Sequence, residues 1–332
     1  MAHIVCVTQG RSGLLYSSFE LARRLEAAGH RLTYLTRSNA SATVEAQGLT
    51  YRELPPFSRP HPRDEGSSGL SLTERLRTIK ARRQDAIGAL RAPAFANALR
   101  ELAPDVLLVD IELHAHIITA VPMGISTALL SPFFSVWKRP GVPPLHKDII
   151  PGTGWRGQWW GIEWAWMRFR VGKLLSRLRN RWRAVGVDDI AVYKHYAQQT
   201  GFPFRRETAH YEWLLPFTYC TLPVLCLNAF ELDFPHDPHP TVRYVGPMVH
   251  QQRQDARTDP DAVAALQSLL ARRSRSPAER PLVVVACSTF ARTNPPFLDR
   301  ILRAASRRPD WDVVLSLGGK GAVADLREPP DH

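Results

Sequence analysis

His3-Ile4-Val5-Cys6-Val7-Thr8-Gln9-Gly10 opens the chain. Arg11-Ser12-Gly13-Leu14-Leu15-Tyr16-Ser17-Ser18-Phe19-Glu20-Leu21-Ala22-Arg23-Arg24-Leu25-Glu26-Ala27-Ala28-Gly29-His30 follows at once. The first run is short, apolar and β-branched, and it ends in a glycine-containing turn. Leu15, Phe19, Ala22 and Leu25 then return at helical spacing until Gly29, which fits a left-handed helix cap. Arg31-Leu32-Thr33-Tyr34-Leu35-Thr36 reads as a second strand. Together these pieces make a β-α-β unit, which implies a parallel sheet with a ligand crevice at the carboxyl ends of its strands.

The turn does not specify a dinucleotide. Gly10-x-x-Gly13 is not G-x-G-x-x-G, and Thr36-Arg37-Ser38 stands where an acidic residue would close the second strand. A nicotinamide site is disfavoured, and the glycines serve chain geometry equally well.

Beyond this unit, 332 residues predict two lobes, and an apolar fraction of 44% is that of a globular protein. No apolar run reaches bilayer length, and the amino terminus lacks the basic-then-apolar layout of a secretory leader. Cys6, Cys220, Cys226 and Cys287 are widely spaced beside apolar runs, without metal spacing, so buried thiols in a reducing cytoplasm are expected. The net charge of +12 favours acidic partners. It comes with no recognisable nucleic-acid module, so no nucleic-acid partner is expected.

Further along, Thr50 to Leu54 reads as a third strand, Pro55 to Leu70 as a loop, and Leu72 to Leu90 as a helix. Phe95 to Leu102 reads as another helix. Ala103-Pro104-Asp105-Val106-Leu107-Leu108-Val109-Asp110 reads as a turn and a buried parallel strand ending on a carboxylate. A helix from His114 to Val121 and a strand from Ser126 to Leu130 follow. Trp155 to Arg183 holds six of the nine tryptophans and many arginines. Its Trp160, Trp164, Met167, Val171, Leu174, Leu175, Leu178 and Trp182 form one helical stripe. That stripe is expected to pack on the sheet, while the aromatic and basic enrichment also fits an anionic membrane surface. Asp188 to Gln199 is a helix, and Leu222 to Asn228 is expected to be the last strand of the first lobe.

A second β-α-β unit comes next, with helices at Asp261 to Leu270 and Pro296 to Ala305 and strands at Pro281 to Cys287 and Trp311 to Leu317. The expected domains are 1–235 for acceptor binding, 236–258 as linker with the polar run His250 to Thr258, and 259–332 as a partial nucleotide-sugar lobe. The last of these holds too few strands for a complete sheet.

Taken in order, these segments resemble the GT-B nucleotide-sugar glycosyltransferases, the family of UDP-glucuronosyltransferases and of macrolide and carotenoid glycosyltransferases. Leu21 to His30 is similar to the family's first helix, and Pro104 to Asp110 to its "PDLVVVD" strand. Asp233-Phe234-Pro235 through Val242-Arg243-Tyr244-Val245-Gly246-Pro247 looks like the family's exit to the linker. Leu282 to Phe290 with Trp311 to Gly319 resembles the opening of its donor lobe.

The resemblance implies an α/β chain of two Rossmann-like lobes with parallel sheets, the second incomplete. It implies metal-free inverting transfer of a hexosyl group from a UDP- or TDP-sugar co-substrate, with no bound cofactor. The implied acceptor is a hydrophobic hydroxyl compound of lipid, carotenoid or natural-product type. A cytoplasmic protein peripheral to the inner membrane face, through Trp155 to Arg183, fits that acceptor. Acceptor contacts are implied at Gly13, Leu14, Tyr16 and Phe133, and donor contacts at Ser288, Thr289, Gly318 and Gly319.

Two departures stand out. The family's catalytic histidine falls on Leu14, which cannot accept a proton. Asp110 matches the partner carboxylate, and Asp110-x-Glu112-x-His114-x-His116 offers substitutes, with Asp110 and His114 the favoured candidates for the base. The family's donor-binding helix lies beyond His332, so a non-catalytic acceptor-binding or partner-dependent protein is the alternative expectation.

Overall fold

Strand β1 (His3–Val7) is buried along its whole length, which is why its last four residues read as a continuous apolar run rather than an alternating one. The computed structural model describes residues 1–10, 12–57, 71–90, 92–214, 216–249, 260–275, 280–286 and 295–316. Around β1, parallel pairing builds a seven-stranded sheet in the order β3-β2-β1-β4-β5-β8-β9. Its strands are β2 (Arg31–Thr36), β3 (Thr50–Glu53), β4 (Val106–Asp110), β5 (Ser126–Ser131), β8 (Val224–Cys226) and β9 (Val242–Tyr244). Between β5 and β8 in sequence come helix α9 (Phe204–Glu207) and a separate short antiparallel pair, β6 (Thr208–Ala209) with β7 (Thr218–Tyr219).

The pleat sorts side chains to two faces. Ile4, Cys6 and Leu108 join Leu15, Phe19 and Ala22 of helix α1 (Ser12–Ala27) in one core cluster. Val5, Val7, Leu107 and Val109 join the other, with helices α5 (Ala92–Leu102), α6 (His114–Ala120) and α8 (Asp189–Thr200). Helix α1 ends as expected. Gly29 takes φ +87° and His30 donates its backbone N–H to Leu25 O at 3.1 Å. Helix α2 (Ser41–Glu45) leads into β3.

Three expectations change. The helix expected over 72–90 is two helices, α3 (Leu72–Arg77) and α4 (Ile79–Gly88), divided at Thr78. Ser71 starts the first with a capping box to Glu74. Residues 222–228 do not supply the last strand of the lobe, because β9 pairs parallel to β8 with Val224 opposite Val242. The segment placed in the linker from 236 onward therefore carries sheet, and the first compact unit extends to Ala256.

The third change is helix α7 (Trp159–Arg183), which buries Gly161, Ile162, Ala165, Trp166 and Lys173 instead of the expected stripe. Trp166 donates its indole N–H to Val142 O at 2.8 Å. Lys173 donates to Leu214 O at 2.7 Å and to Glu212 O, and Arg170 pairs with Glu212 at 2.5 Å. These polar anchors, which a hydrophobic pattern does not register, fix which side of the helix faces inward. The expected core stripe faces solvent, with Trp160, Trp164 and Trp182 at 54%, 53% and 81% exposure.

The second unit spans 257–332. In it β10 (Leu282–Ala286) pairs parallel to β11 (Asp312–Ser316), with helices α10 (Pro260–Arg275) and α11 (Pro295–Ser306). Asp312 is buried and accepts from Arg272 at 3.0 Å and Arg273 at 3.1 Å, which ties α10 to the strand.

Candidate functional site

The strand order runs 3-2-1 in one direction and 4-5 in the other, so the topology switches between β1 and β4. Open parallel sheets take ligands there, outside the carboxyl ends. The loops after these two strands, 8–10 and 111–113, therefore frame the candidate site.

After β1, Thr8 continues the ladder through its backbone N–H to Leu35 O at 3.2 Å, and its hydroxyl donates to Thr36 Oγ1 at 3.0 Å. Gly10 follows at φ +71°. A Cβ there would lie 3.1 Å from Ala40 Cβ and 3.2 Å from Asn39 Oδ1, so both conformation and space require glycine. Gly13 differs, because a Cβ there meets nothing within 4 Å. Leu14 turns into the α1-side core. Tyr16 is half-buried, with its ring edge-on to Phe19 at 5.8 Å. Leu14, at the family's histidine position, is thus a packing residue in this structure.

After β4, the buried Asp110 accepts the backbone N–H of Glu112 at 2.9 Å through Oδ1. Its own carbonyl accepts from Leu113 N at 2.8 Å. The carboxylate thereby shapes the turn and presents Glu112, which is half-buried and 3.5 Å from the side-chain amide of Gln9. Gln9 and Glu112 bridge the switch point. Gln9 carries no motif, and its one signal in the sequence is its place just past the end of β1.

His114 begins α6 and is buried. Its Nδ1 lies 3.0 Å from the Tyr219 hydroxyl, and its ring stands 4.4 Å from that of Phe217 and 5.6 Å from that of Tyr193. It is enclosed by aromatic rings rather than presented to the crevice. His116 is likewise buried, between Phe57 and Phe95 at 4.4 and 4.5 Å.

Phe133 lies just beyond β5, partly buried against the α6-side core. Ser131 Oγ accepts its backbone N–H at 3.1 Å. Further along the crevice edge, a cavity of about 330 Å³ lies beyond β2 and β3, lined by Arg37, Ser38, Asn39, Glu53, Leu54 and Phe57. The Arg37 guanidinium sits 4.9 Å from the Phe57 ring centre. At the opposite end of the sheet, beside Cys226 of β8 and Tyr244 of β9, Arg139 and Asp233 form a buried ion pair, so the Asp233-Phe234-Pro235 segment is held by its carboxylate.

Ser288, Thr289, Gly318 and Gly319 lie outside the described residues. The strands leading to them, β10 and β11, are parallel neighbours in register from Leu282–Asp312 to Ala286–Ser316.

No protein-family model matches the chain. Among curated proteins it is 26% identical over 338 residues to an oleandomycin glycosyltransferase of Streptomyces antibioticus. The match covers all of this chain and 64% of that relative, so the chain spans less than two thirds of its length. Among solved structures it is similar to the glycotransferase of kitacinnamycin, with a TM-score of 0.58 at 21% identity, covering 99% of this chain and 69% of that one. It is also similar to the spinosyn rhamnosyltransferase SpnG, with a TM-score of 0.51 at 15% identity, covering 100% and 69%.

The chain shares the fold of these glycosyltransferases, the GT-B fold. In this GT-B protein the first unit supplies a full doubly wound sheet, and the described part of the second supplies one β-α-β unit. The end of β4 and its loop carry the carboxylates Asp110 and Glu112, and Leu14 is buried in the core.

Proposed function

We propose that the chain belongs to an inverting glycosyltransferase that moves a hexosyl group from a UDP- or TDP-sugar to a hydroxyl of a hydrophobic acceptor. The observation that carries this reading is the carboxylate pair Asp110 and Glu112 at the switch point of a GT-B sheet. Asp110 sets the turn, and Glu112 is the carboxylate that solvent reaches. Glu112 takes the hydroxyl proton while the acceptor oxygen attacks the anomeric carbon. The bond from that carbon to the diphosphate breaks, and its electron pair leaves with the nucleotide. His114 is the weaker candidate because Tyr219 and the surrounding rings occupy its approach.

Acceptor contacts fall to Gly13, Tyr16 and Phe133 around the crevice, with Leu14 supporting them from the core. The open space at Gly13 supports its place in this set. Donor contacts are assigned to Ser288, Thr289, Gly318 and Gly319, which follow the neighbouring parallel strands β10 and β11 in sequence. The relative's name, an oleandomycin glycosyltransferase, supports a natural-product acceptor. The cytoplasm, peripheral to the inner membrane face, is the setting that fits the exposed tryptophans.

One observation favours a second reading, a partner-dependent or non-catalytic acceptor-binding protein: Leu14 is buried in the core and carries no base. Incubating the chain with UDP-glucose or TDP-glucose and a macrolide acceptor separates the two. Glycosylated product or sugar release that Glu112→Gln abolishes supports the transferase. Acceptor binding by calorimetry with neither product supports the second reading.

A further inference from the structure

A cavity of about 580 Å³ lies on the outer side of the first unit, between the carboxyl-terminal half of α7 and α8, away from the switch-point loops. Its cations are Arg83, Arg177, Arg181, Lys194 and Arg205, and His195 and His210 also line it. Among the described residues lining it, Asp188 is the one acid, and its carboxylate already caps α8 by accepting Ala191 N at 3.2 Å.

Three buried nitrogens of this wall have no hydrogen-bond partner: Arg83 Nε, Arg177 Nη1 and His210 Nδ1. Buried polar atoms are seldom left unpaired, so such a group points to a ligand atom that completes it. His210 is pushed down to about 4 by burial and by the Arg177 and Lys173 cations, which reports the same positive surroundings.

The cavity is not purely polar. Leu174 and Leu178 line it and also belong to the solvent-exposed stripe of α7. That stripe runs from Trp160 to Trp182, about 33 Å at helical rise, and Trp155 extends it by stacking on Trp160 at 5.9 Å. The one acid of the helix, Glu163, is held by Lys138 at 2.5 Å. Arg168, Arg179, Arg181 and Arg183 are exposed along it.

We propose that α7 and the adjoining cavity form one docking surface for an anionic phospholipid bilayer, with the indoles and leucines set in the interface and a headgroup phosphate in the basic cavity. Charge decides between occupants. A second copy pairing along the stripe would bring arginines against arginines. A soluble anion would use the cations and leave the leucines and tryptophans in water. An anionic bilayer satisfies both sets, because arginine stems lie along apolar surface while their heads meet phosphate. The proposal holds whether or not the chain transfers sugar.

The test is co-sedimentation of the full chain with phosphatidylcholine vesicles, with and without phosphatidylglycerol. Binding to the mixed vesicles, weakened by salt, is expected. The Arg181→Gln/Lys194→Gln pair should weaken it about thirtyfold. Trp164→Ser/Trp182→Ser should also release the protein, and circular dichroism confirms that each variant is folded. Equal binding to both vesicle types overturns the proposal. So does binding that neither salt nor the folded variants change. Displacement by inorganic phosphate beyond that of sodium chloride at matched ionic strength assigns the cavity to a soluble anion instead. A concentration-dependent dimer that ignores vesicles assigns the stripe to self-association.

Discussion

Gln9 and Glu112, 103 residues apart in sequence, meet at 3.5 Å where the order of the central sheet reverses. Two strands that never follow one another in the chain are closed at their carboxyl ends by an amide and a carboxylate. The carboxylate is aimed by the backbone N–H that Glu112 gives to Asp110.

This arrangement separates the two acids. Glu112→Gln keeps size and hydrogen bonding but removes the proposed base, so transfer should fall about a hundredfold or more with thermal stability nearly unchanged. Asp110→Asn should lower both activity and melting temperature, because that buried carboxylate organises the turn. Product formation measured beside a melting curve distinguishes the two outcomes.

The buried pair Arg139–Asp233 gives a stability prediction. Asp233→Asn leaves a guanidinium buried without its counter-charge, which should cost about 3–5 kcal/mol. Replacing both partners by apolar residues should recover much of that loss. Urea denaturation of the two variants reads the difference.

Acid sensitivity follows from His210. In the folded chain it titrates near 4, against 6.5 for the ordinary side chain. Between these values the unfolded state binds the additional proton, so stability falls as pH drops from about 6.5 towards 4. His210→Gln should flatten that limb in melting temperatures recorded across the same range.

Thiol chemistry should be selective. Burial is the leading cause that pushes Cys6 up to about 12 and Cys226 up to about 11, and both lie in the core. Cys220 is raised as well, yet it is partly exposed. Iodoacetamide should modify Cys220 in the folded chain and reach Cys6 and Cys226 after denaturation, as peptide mass spectrometry would show.

The sheet was legible in the sequence because β1 and β4 carry the apolar runs Ile4 to Val7 and Val106 to Val109 and α1 keeps a 3.6-residue period. Strand β9 escaped notice because three residues, Val242-Arg243-Tyr244, carry almost no pattern and gain their place only by pairing with β8. The orientation of α7 was misread for a different reason. Its long apolar stripe outweighs the inner face by composition, yet Lys173, Arg170 and Trp166 secure that inner face through bonds to Glu212, Leu214 and Val142. Of the candidate site, Asp110 was legible as a strand-end acid. His114 fitted the motif but belongs to an aromatic cluster assembled from residues about 80 to 105 positions away.

The pairing of β9 with β8 places the sheet's final strand before residue 256, so every strand of the first unit's sheet is encoded ahead of the second unit. A gene fusion joined after Val249 would carry that sheet intact. Joined after residue 235, it would strip an edge strand and leave the backbone of β8 open to another chain. The natural crossover point for exchanging the second unit therefore lies downstream of Val249.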